Sequence, residues 1–227
     1  SDDGNWLAYS IDIVGDERYT LRVKDLRTGE LLPDEVRDTS GGAVWSADAR
    51  HVFYSTVDAA WRPDTVWRHD IGAGTADVKV FHEPDERFWV GMGTTRSDKY
   101  LVIGVGSKIT SESYLLAADD PTGEFRSVTP RVDGVEYSVE HAVIGGEDYL
   151  VIVHNEVRDG QKAENFAIDL APVADTVPPD NPRSNEPIGR WGRQYANDRT
   201  MAATAVSEVV RTMQAGGLQT ALKHFPG

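Results

Sequence analysis

The chain has no cysteine. That excludes disulfides, thiolate catalysis and cysteine-based zinc sites. It has no apolar run of membrane-spanning length; "YLVIGVG" and "YLVIVH" are strand-sized. No secretory leader is visible at the start, which reads "SDDGNWLAYS", already a turn followed by a strand. Positive charge is short: 23 Lys and Arg stand against 37 Asp and Glu, a net charge of -14. A nucleic-acid backbone or an anionic membrane surface needs clustered Lys and Arg, so neither is expected as a partner. Solubility is the plain reading of the acidic balance, and an acidic wall drawing a basic peptide is the sharper one. A soluble chain is expected; its compartment is left open, the cytoplasm included.

Two catalytic patterns are also missing. No G-x-S-x-G elbow occurs, the arrangement that exposes a nucleophilic serine on a strained strand-to-helix turn. Ser46 in "VWSADA" and Ser107 in "GVGSKIT" read as turn or strand-end serines. The 6 histidines include no H-x-x-x-H pair, the spacing that sets two ligands on one helical face. His51, His69, His82 and His154 are scattered at strands or strand ends. His141 follows Glu140 directly, and strand neighbours point to opposite faces. No metal site and no cofactor is expected.

What is present is a globular composition of 227 residues, 40% hydrophobic and 26% charged, with 6 Trp and 8 Tyr. Such a chain can bury a core. Four strand-like segments each follow a short polar turn: "DDGNWLAYS", "ADARHVFYS", "SDKYLVIGV" and "GEDYLVIVH". Leu7, Val52, Leu101 and Leu150 mark a period of roughly 45 to 50 residues. Asp25, Asp70, Asp119 and Asp169, each near the end of a second strand, keep nearly the same period. Short β-branched or aromatic strands at this period are the pattern of propeller blades, since one blade cannot cover both of its own faces. The aspartates read as turn caps rather than catalytic acids.

Residues 1 to about 170 resemble a known family on these segments: "YTLRVKDLRTGELLPDEV", "TSGGAVWSADARHVFYSTVD", "RPDTVWRHDIG", "EPDERFWVGMG" and "GVEYSVEHAV". They look like oligopeptidase B, in the prolyl oligopeptidase family of serine peptidases. The resemblance implies part of a seven-bladed propeller that caps a catalytic α/β-hydrolase domain and restricts access to short peptides. It implies a partner of peptide character, and cleavage after Lys or Arg by a catalytic domain that these residues do not include.

The last quarter reads differently. "DLAPVAD" is a short apolar run, followed by a Pro- and Asn-rich loop. Met201, Val206, Val209, Val210 and Met213 recur at helical spacing before Gly216-Gly217, and "LQTALKHFPG" reads as a further strand. Strand, helix and strand make a βαβ unit. "LAPVAD", "IGRWGRQYAND" and "AGGLQTALKHFPG" resemble glycoside hydrolase family 3, in its β-N-acetylglucosaminidase branch. That resemblance implies a piece of a (β/α)8 barrel, with Arg193, Lys223 and His224 as binders of an N-acetylglucosamine-containing sugar. Ala196 and Asp198-Arg199 depart from the family's usual residues, and the catalytic pair of that family has no counterpart here.

The expectation is therefore a mainly β chain in two parts. Residues 1–170 form a partial β-propeller of about four blades, and residues 171–227 form a βαβ fragment of a (β/α)8 barrel, joined within residues 166–175 as a hybrid. The competing expectation is a four-bladed propeller with a C-terminal extension. A non-catalytic scaffold or interaction module is expected, not an enzyme as the chain stands, with self-association through open blade edges. The alternative is a hydrolase by family inheritance, either glycosidase or Lys/Arg-specific oligopeptidase.

Overall fold

The computed structural model describes residues 1–158, 161–163 and 165–173, and every element among them is a β-strand. The strands fall into four antiparallel meanders that follow the sequence repeat. The first contains β1 (Trp6–Ile11), β2 (Tyr19–Asp25) and β3 (Leu31–Thr39). The second contains β4 (Val44–Trp45), β5 (His51–Val57), β6 (Pro63–Asp70) and β7 (Val78–His82). The third contains β8 (Trp89–Thr94), β9 (Tyr100–Gly106), β10 (Ser111–Ala117) and β11 (Arg126–Ser127). The fourth contains β12 (Tyr137–Ile144), β13 (Glu147–His154) and β16 (Ala167–Pro172). A small hairpin, β14 (Val157–Arg158) with β15 (Gln161–Lys162), is inserted in the fourth.

Each strand pairs with its sequence neighbour inside a blade, as a meander must. Between blades the ladder almost vanishes. One rung, Thr39 opposite Thr56, links the first blade to the second. What joins the blades is apolar burial. Leu21 of the first blade packs with Val52 and Tyr54 of the second. Phe53 and Val66 of the second pack with Leu101, Ile103 and Leu116 of the third. Tyr100 and Leu115 of the third pack with Val139, Leu150, Ile152 and Ala171 of the fourth. Because successive strand residues alternate faces, a single strand serves two interfaces: Val52 and Phe53 belong to different cores. This face-to-face stacking of blades is the propeller arrangement.

The leucine landmark has a clear physical meaning. Val52, Leu101 and Leu150 are fully buried, whereas Leu7 is 44% exposed on the open face of the first blade. Ile168, on the far face of the fourth blade, is likewise half exposed. Each buried landmark lies between two blades, and Leu7 has a blade on one side only.

The aspartate landmark is corrected in part. Asp25 and Asp70 end β2 and β6, opposite Trp6 and His51. Asp119 lies beyond the end of β10, and Asp169 lies inside β16, opposite Ile152. The second pair therefore does not hold the register of the first. The run expected to open a barrel strand is also reassigned. Leu170, Ala171 and Pro172 pair with Val151, Leu150 and Tyr149 of β13, and Ala171 is 2% exposed in the core between the third and fourth blades. A short apolar strand suits a blade as well as a barrel, so the string alone did not discriminate them. The helix and second strand expected after residue 199 lie outside the described residues.

Candidate functional site

The blades repeat more than their cores. The turn before the second strand position of a blade recurs in the first three: Ser1–Asn5, Ser46–Arg50 and Thr95–Lys99. The opening hydroxyl accepts the backbone N–H five residues on, at 3.0 Å from Trp6, 3.2 Å from His51 and 3.2 Å from Tyr100. Two residues after the hydroxyl, a second acceptor closes the turn. Asp3 accepts from Ser1 Oγ at 2.5 Å and from Asn5 N at 3.0 Å. Asp48 accepts from Ser46 Oγ at 2.5 Å and from Arg50 N at 2.9 Å. Ser97 stands in the same place, 3.0 Å from Thr95 Oγ1 and accepting from Lys99 N at 3.3 Å. The residue after it is left-handed each time: Gly4 at φ 70°, Ala49 at 54° and Asp98 at 55°. The turns satisfy their own backbone donors, which is the usual work of Ser, Thr and Asp there.

This local role decides the meaning of the most suggestive constellation in the fold. His141 on β12 places Nδ1 2.8 Å from Ser97 Oγ and Nε2 2.9 Å from Asp148 Oδ1. Serine, histidine and aspartate are thus in contact, from positions the sequence reading did not connect. Lys99 Nζ lies 2.7 Å from the other oxygen of Asp148. That hydrogen bond, and then the one from His141, holds the Asp148 carboxyl below the usual carboxylate range; the same contact raises the Lys99 ammonium. Tyr100 packs its ring against the imidazole at 5.3 Å, and the His141 side chain is 1% exposed.

A working nucleophile needs a base, a free approach to its hydroxyl and donors aimed at a developing oxyanion. Ser97 has the contact with a histidine and lacks the setting. Its oxygen is engaged by its own turn, on a loop rather than on an elbow between strand and helix. The aspartates at the equivalent places in two other blades do the same structural work. The constellation is best described as a latch that fastens the fourth blade to the turn of the third. Arg96 N, donating to Glu140 Oε2 at 3.0 Å, adds a second tie at that end.

The opposite end of the blades carries a buried charge network. Arg62, 6% exposed, donates to the carbonyls of Glu83, Asp85 and Phe88 and pairs with Asp58 at 2.9 Å. Hydrogen bonds from the Arg62 and Ala60 backbone and from the guanidinium keep the Asp58 carboxyl below its ordinary value. Arg131 pairs with Glu83 and, at 3.2 Å, with Glu112, and lies 3.7 Å from the centre of the Phe88 ring. Charges from the second blade, the third blade and both connecting segments are therefore paired in one place, as buried ions require. Between the third and fourth blades a recess opens to solvent, lined in part by Ser111, Thr129, Tyr137 and His154. His154 is committed there: Nδ1 accepts from Glu156 N at 3.1 Å, and Nε2 lies 3.1 Å from Asp169.

The remaining sequence expectations can be placed. Ser46 is the buried opening residue of its turn, and Ser107 Oγ accepts from Thr110 N at 3.1 Å just after β9. Among the described residues no group of three His, Asp or Glu could hold a metal ion, and no helix is long and apolar enough to cross a membrane. Arg193, Lys223 and His224 lie outside the described residues.

Comparison with known proteins agrees with this architecture. The sequence model described as "Prolyl oligopeptidase, N-terminal beta-propeller domain" matches residues 1–181, running through the expected join at 166–175. Protease 2 of Moraxella lacunata is 36% identical over 176 residues, covering 76% of this chain and 24% of its own length. Dipeptidyl aminopeptidase BI of Pseudoxanthomonas mexicana is 37% identical over 182 residues, covering 78% of this chain and 23% of its own. The structure of oligopeptidase B from Leishmania major superposes with a TM-score of 0.64 at 33% identity, over 74% of this chain and 23% of that one. The chain thus spans about a quarter of the length of the curated relatives it matches.

Proposed function

This chain belongs to the N-terminal β-propeller family of the prolyl oligopeptidases, and from that premise we propose that it serves as a non-catalytic scaffold that controls peptide access in an oligopeptidase B-like peptidase. The observation that carries the reading is the fate of Ser97, His141 and Asp148. The described residues that come nearest to a peptidase triad are consumed in fastening one blade to the next. Chemistry on a peptide bond would then depend on groups outside the described residues, and the propeller would contribute shape, rigidity and charge. Its acidic balance suits peptides bearing Lys or Arg, whose approach it would favour at low ionic strength. The sugar-binding roles expected of Arg193, Lys223 and His224 draw no support from the described fold, which is propeller through β16.

The test is hydrolysis of a fluorogenic peptide with Arg at the cleavage position, using the purified 227-residue chain and its Ser97→Ala variant. No turnover above buffer is expected from either. Turnover that disappears in Ser97→Ala would make the latch a catalytic centre and overturn the proposal. A second measurement addresses the scaffold role directly. Exchanging the matching segment of Protease 2 for residues 1–173 should preserve cleavage of short peptides; if the exchanged enzyme folds and cleaves folded proteins as fast as short peptides, access control is not what this segment provides.

A further inference from the structure

We propose that His69 is a pH-operated latch between the first and second blades: as an imidazolium it holds Asp34 of β3 and Asp77 of the β6–β7 loop together, and as a neutral ring it releases the outer edge of the first blade. The geometry is specific. Nε2 lies 2.8 Å from Asp34 Oδ1, and Nδ1 lies 2.7 Å from Asp77 Oδ1. Only the protonated ring donates from both nitrogens; a neutral ring must turn a lone pair toward one of the two carboxylates. The side chains of His69 and Asp34 are 10% and 5% exposed, so water is poorly placed to stand in for the lost donor.

The surroundings leave the imidazole as the cation for both acids. Asp34 Oδ1 also accepts from Gly72 N at 2.8 Å, and Asp34 Oδ2 is buried with no hydrogen-bond partner among the described residues. Asp77 Oδ2 accepts from Tyr54 OH of β5 at 2.5 Å. On β6 itself, Arg68 and Asp70 alternate to the other face, with Arg68 donating to Pro121 O and Asp70 lying beside His51. From β7, Lys79 stands opposite Trp67 and is exposed. Burial pulls the His69 pKa down, but hydrogen bonds and charge from Asp77 and Asp34 outweigh it and leave it raised.

The first blade is where such a release would be felt. Apart from the latch and the Asp34–Gly72 bond, its ties to the second include the Thr39–Thr56 rung, the Ser40–Ser55 contacts, the Gly42–Ser10 bond, the Arg18 guanidinium over the Trp61 ring and a core whose buried members are Leu21, Val52 and Tyr54. Tyr54 is itself bonded to Asp77, so the latch sits on the rim of that core. The sign follows from linkage. A histidine with a raised folded pKa stabilises fully below its unfolded value, about 6.5. That contribution is lost as pH rises through the folded value.

Hydrogen exchange of the full chain, read by mass spectrometry and corrected for intrinsic rates, tests this. From mildly acidic to alkaline pH, protection of β3 is expected to fall as the imidazole loses its proton, while β9 holds steady. His69→Gln should leave β3 weakly protected throughout, with no step. If that variant does not fold, Asp34→Asn, which keeps an acceptor for Gly72 N, should move the step to lower pH. The proposal is overturned by a β3 protection that does not change with pH, by equal losses in β3 and β9, by the same step in His69→Gln, or by an unmoved step in Asp34→Asn.

Discussion

Leu115 and Leu116 are neighbours on β10 and are buried in two different cores, Leu115 at 2% exposure against the fourth blade and Leu116 at 5% against the second. One peptide bond thus separates two inter-blade interfaces. Truncating either leucine to alanine removes contacts on one side only. Each is expected to cost about 2–5 kcal/mol, the range for buried Leu to Ala. Urea unfolding of the double variant should show the two costs adding if each interface packs independently, although the residues are neighbours in the chain. A strongly non-additive result would mean the blades do not act as separately packed layers.

The charge network at the other end makes a second prediction. Arg131 neutralises Glu83, whose side chain is 5% exposed, and Glu112, and covers the Phe88 ring. Arg131→Met keeps much of the apolar stem and leaves two shielded carboxylates without their cation. The expected loss is about 3–5 kcal/mol, as for a broken buried pair. Arg87, whose pair with Asp85 is largely exposed at 73% for the arginine side chain, provides the control. Arg87→Met should leave stability close to that of the parent. Similar effects at the two positions would argue that the Arg131 network is solvated.

These residues also mark the limits of reading the sequence. The spacing of Leu7, Val52, Leu101 and Leu150 is visible because each blade rebuilds the same local strand, and the burial of three of them follows from stacking. Arg131 gives no such signal. Its partner Glu83 is 48 residues away, and nothing local distinguishes it from a surface arginine. Ser97 and His141, 44 residues apart, meet only because the third and fourth blades stack. The aspartate spacing succeeded at Asp25 and Asp70 and slipped at Asp119 and Asp169, since the hairpin loop inside the blade varies in length: Leu7 and Val52 pair with Lys24 and His69, but Leu101 pairs with Leu116 and Leu150 with Ala171. "LAPV" was read toward a barrel because a short apolar strand carries no mark of which sheet will receive it.

Acid should act through the turn aspartates. Arg27 donates to both oxygens of Asp25, and its side-chain and backbone hydrogen bonds hold that carboxyl down to about 2. A carboxylate with a depressed folded pKa contributes stability above its unfolded value, about 3.9. That stability disappears as pH falls toward the folded value. The acid limb of the stability curve should therefore be shallower in Asp25→Asn between pH 4 and pH 2, with the variant less stable than the parent near neutral pH. Circular dichroism against pH at fixed urea measures this. An identical acid limb in the two proteins would show that the Arg27 contact carries no folding energy.

The repeated turn offers a test in the opposite direction, where a substitution should strengthen the fold. Gly4, Ala49 and Asp98 occupy equivalent places and all adopt left-handed backbone angles. A β-carbon makes that region costly by roughly 1–2 kcal/mol, while glycine enters it freely at an entropic cost of about 0.5–1 kcal/mol. Alanine at position 49 has no side-chain hydrogen bond to offset the strain, so Ala49→Gly is expected to raise stability by up to about 1 kcal/mol. Asp98 differs, because aspartate tolerates left-handed angles better, and its Oδ1 lies 3.3 Å from Thr94 Oγ1. Asp98→Gly should be close to neutral. Thermal unfolding of the two variants beside the parent separates the cases. A destabilised Ala49→Gly would mean that the fold holds this turn by packing rather than by its backbone, and the equivalence drawn between Asp3, Asp48 and Ser97 would lose its physical basis.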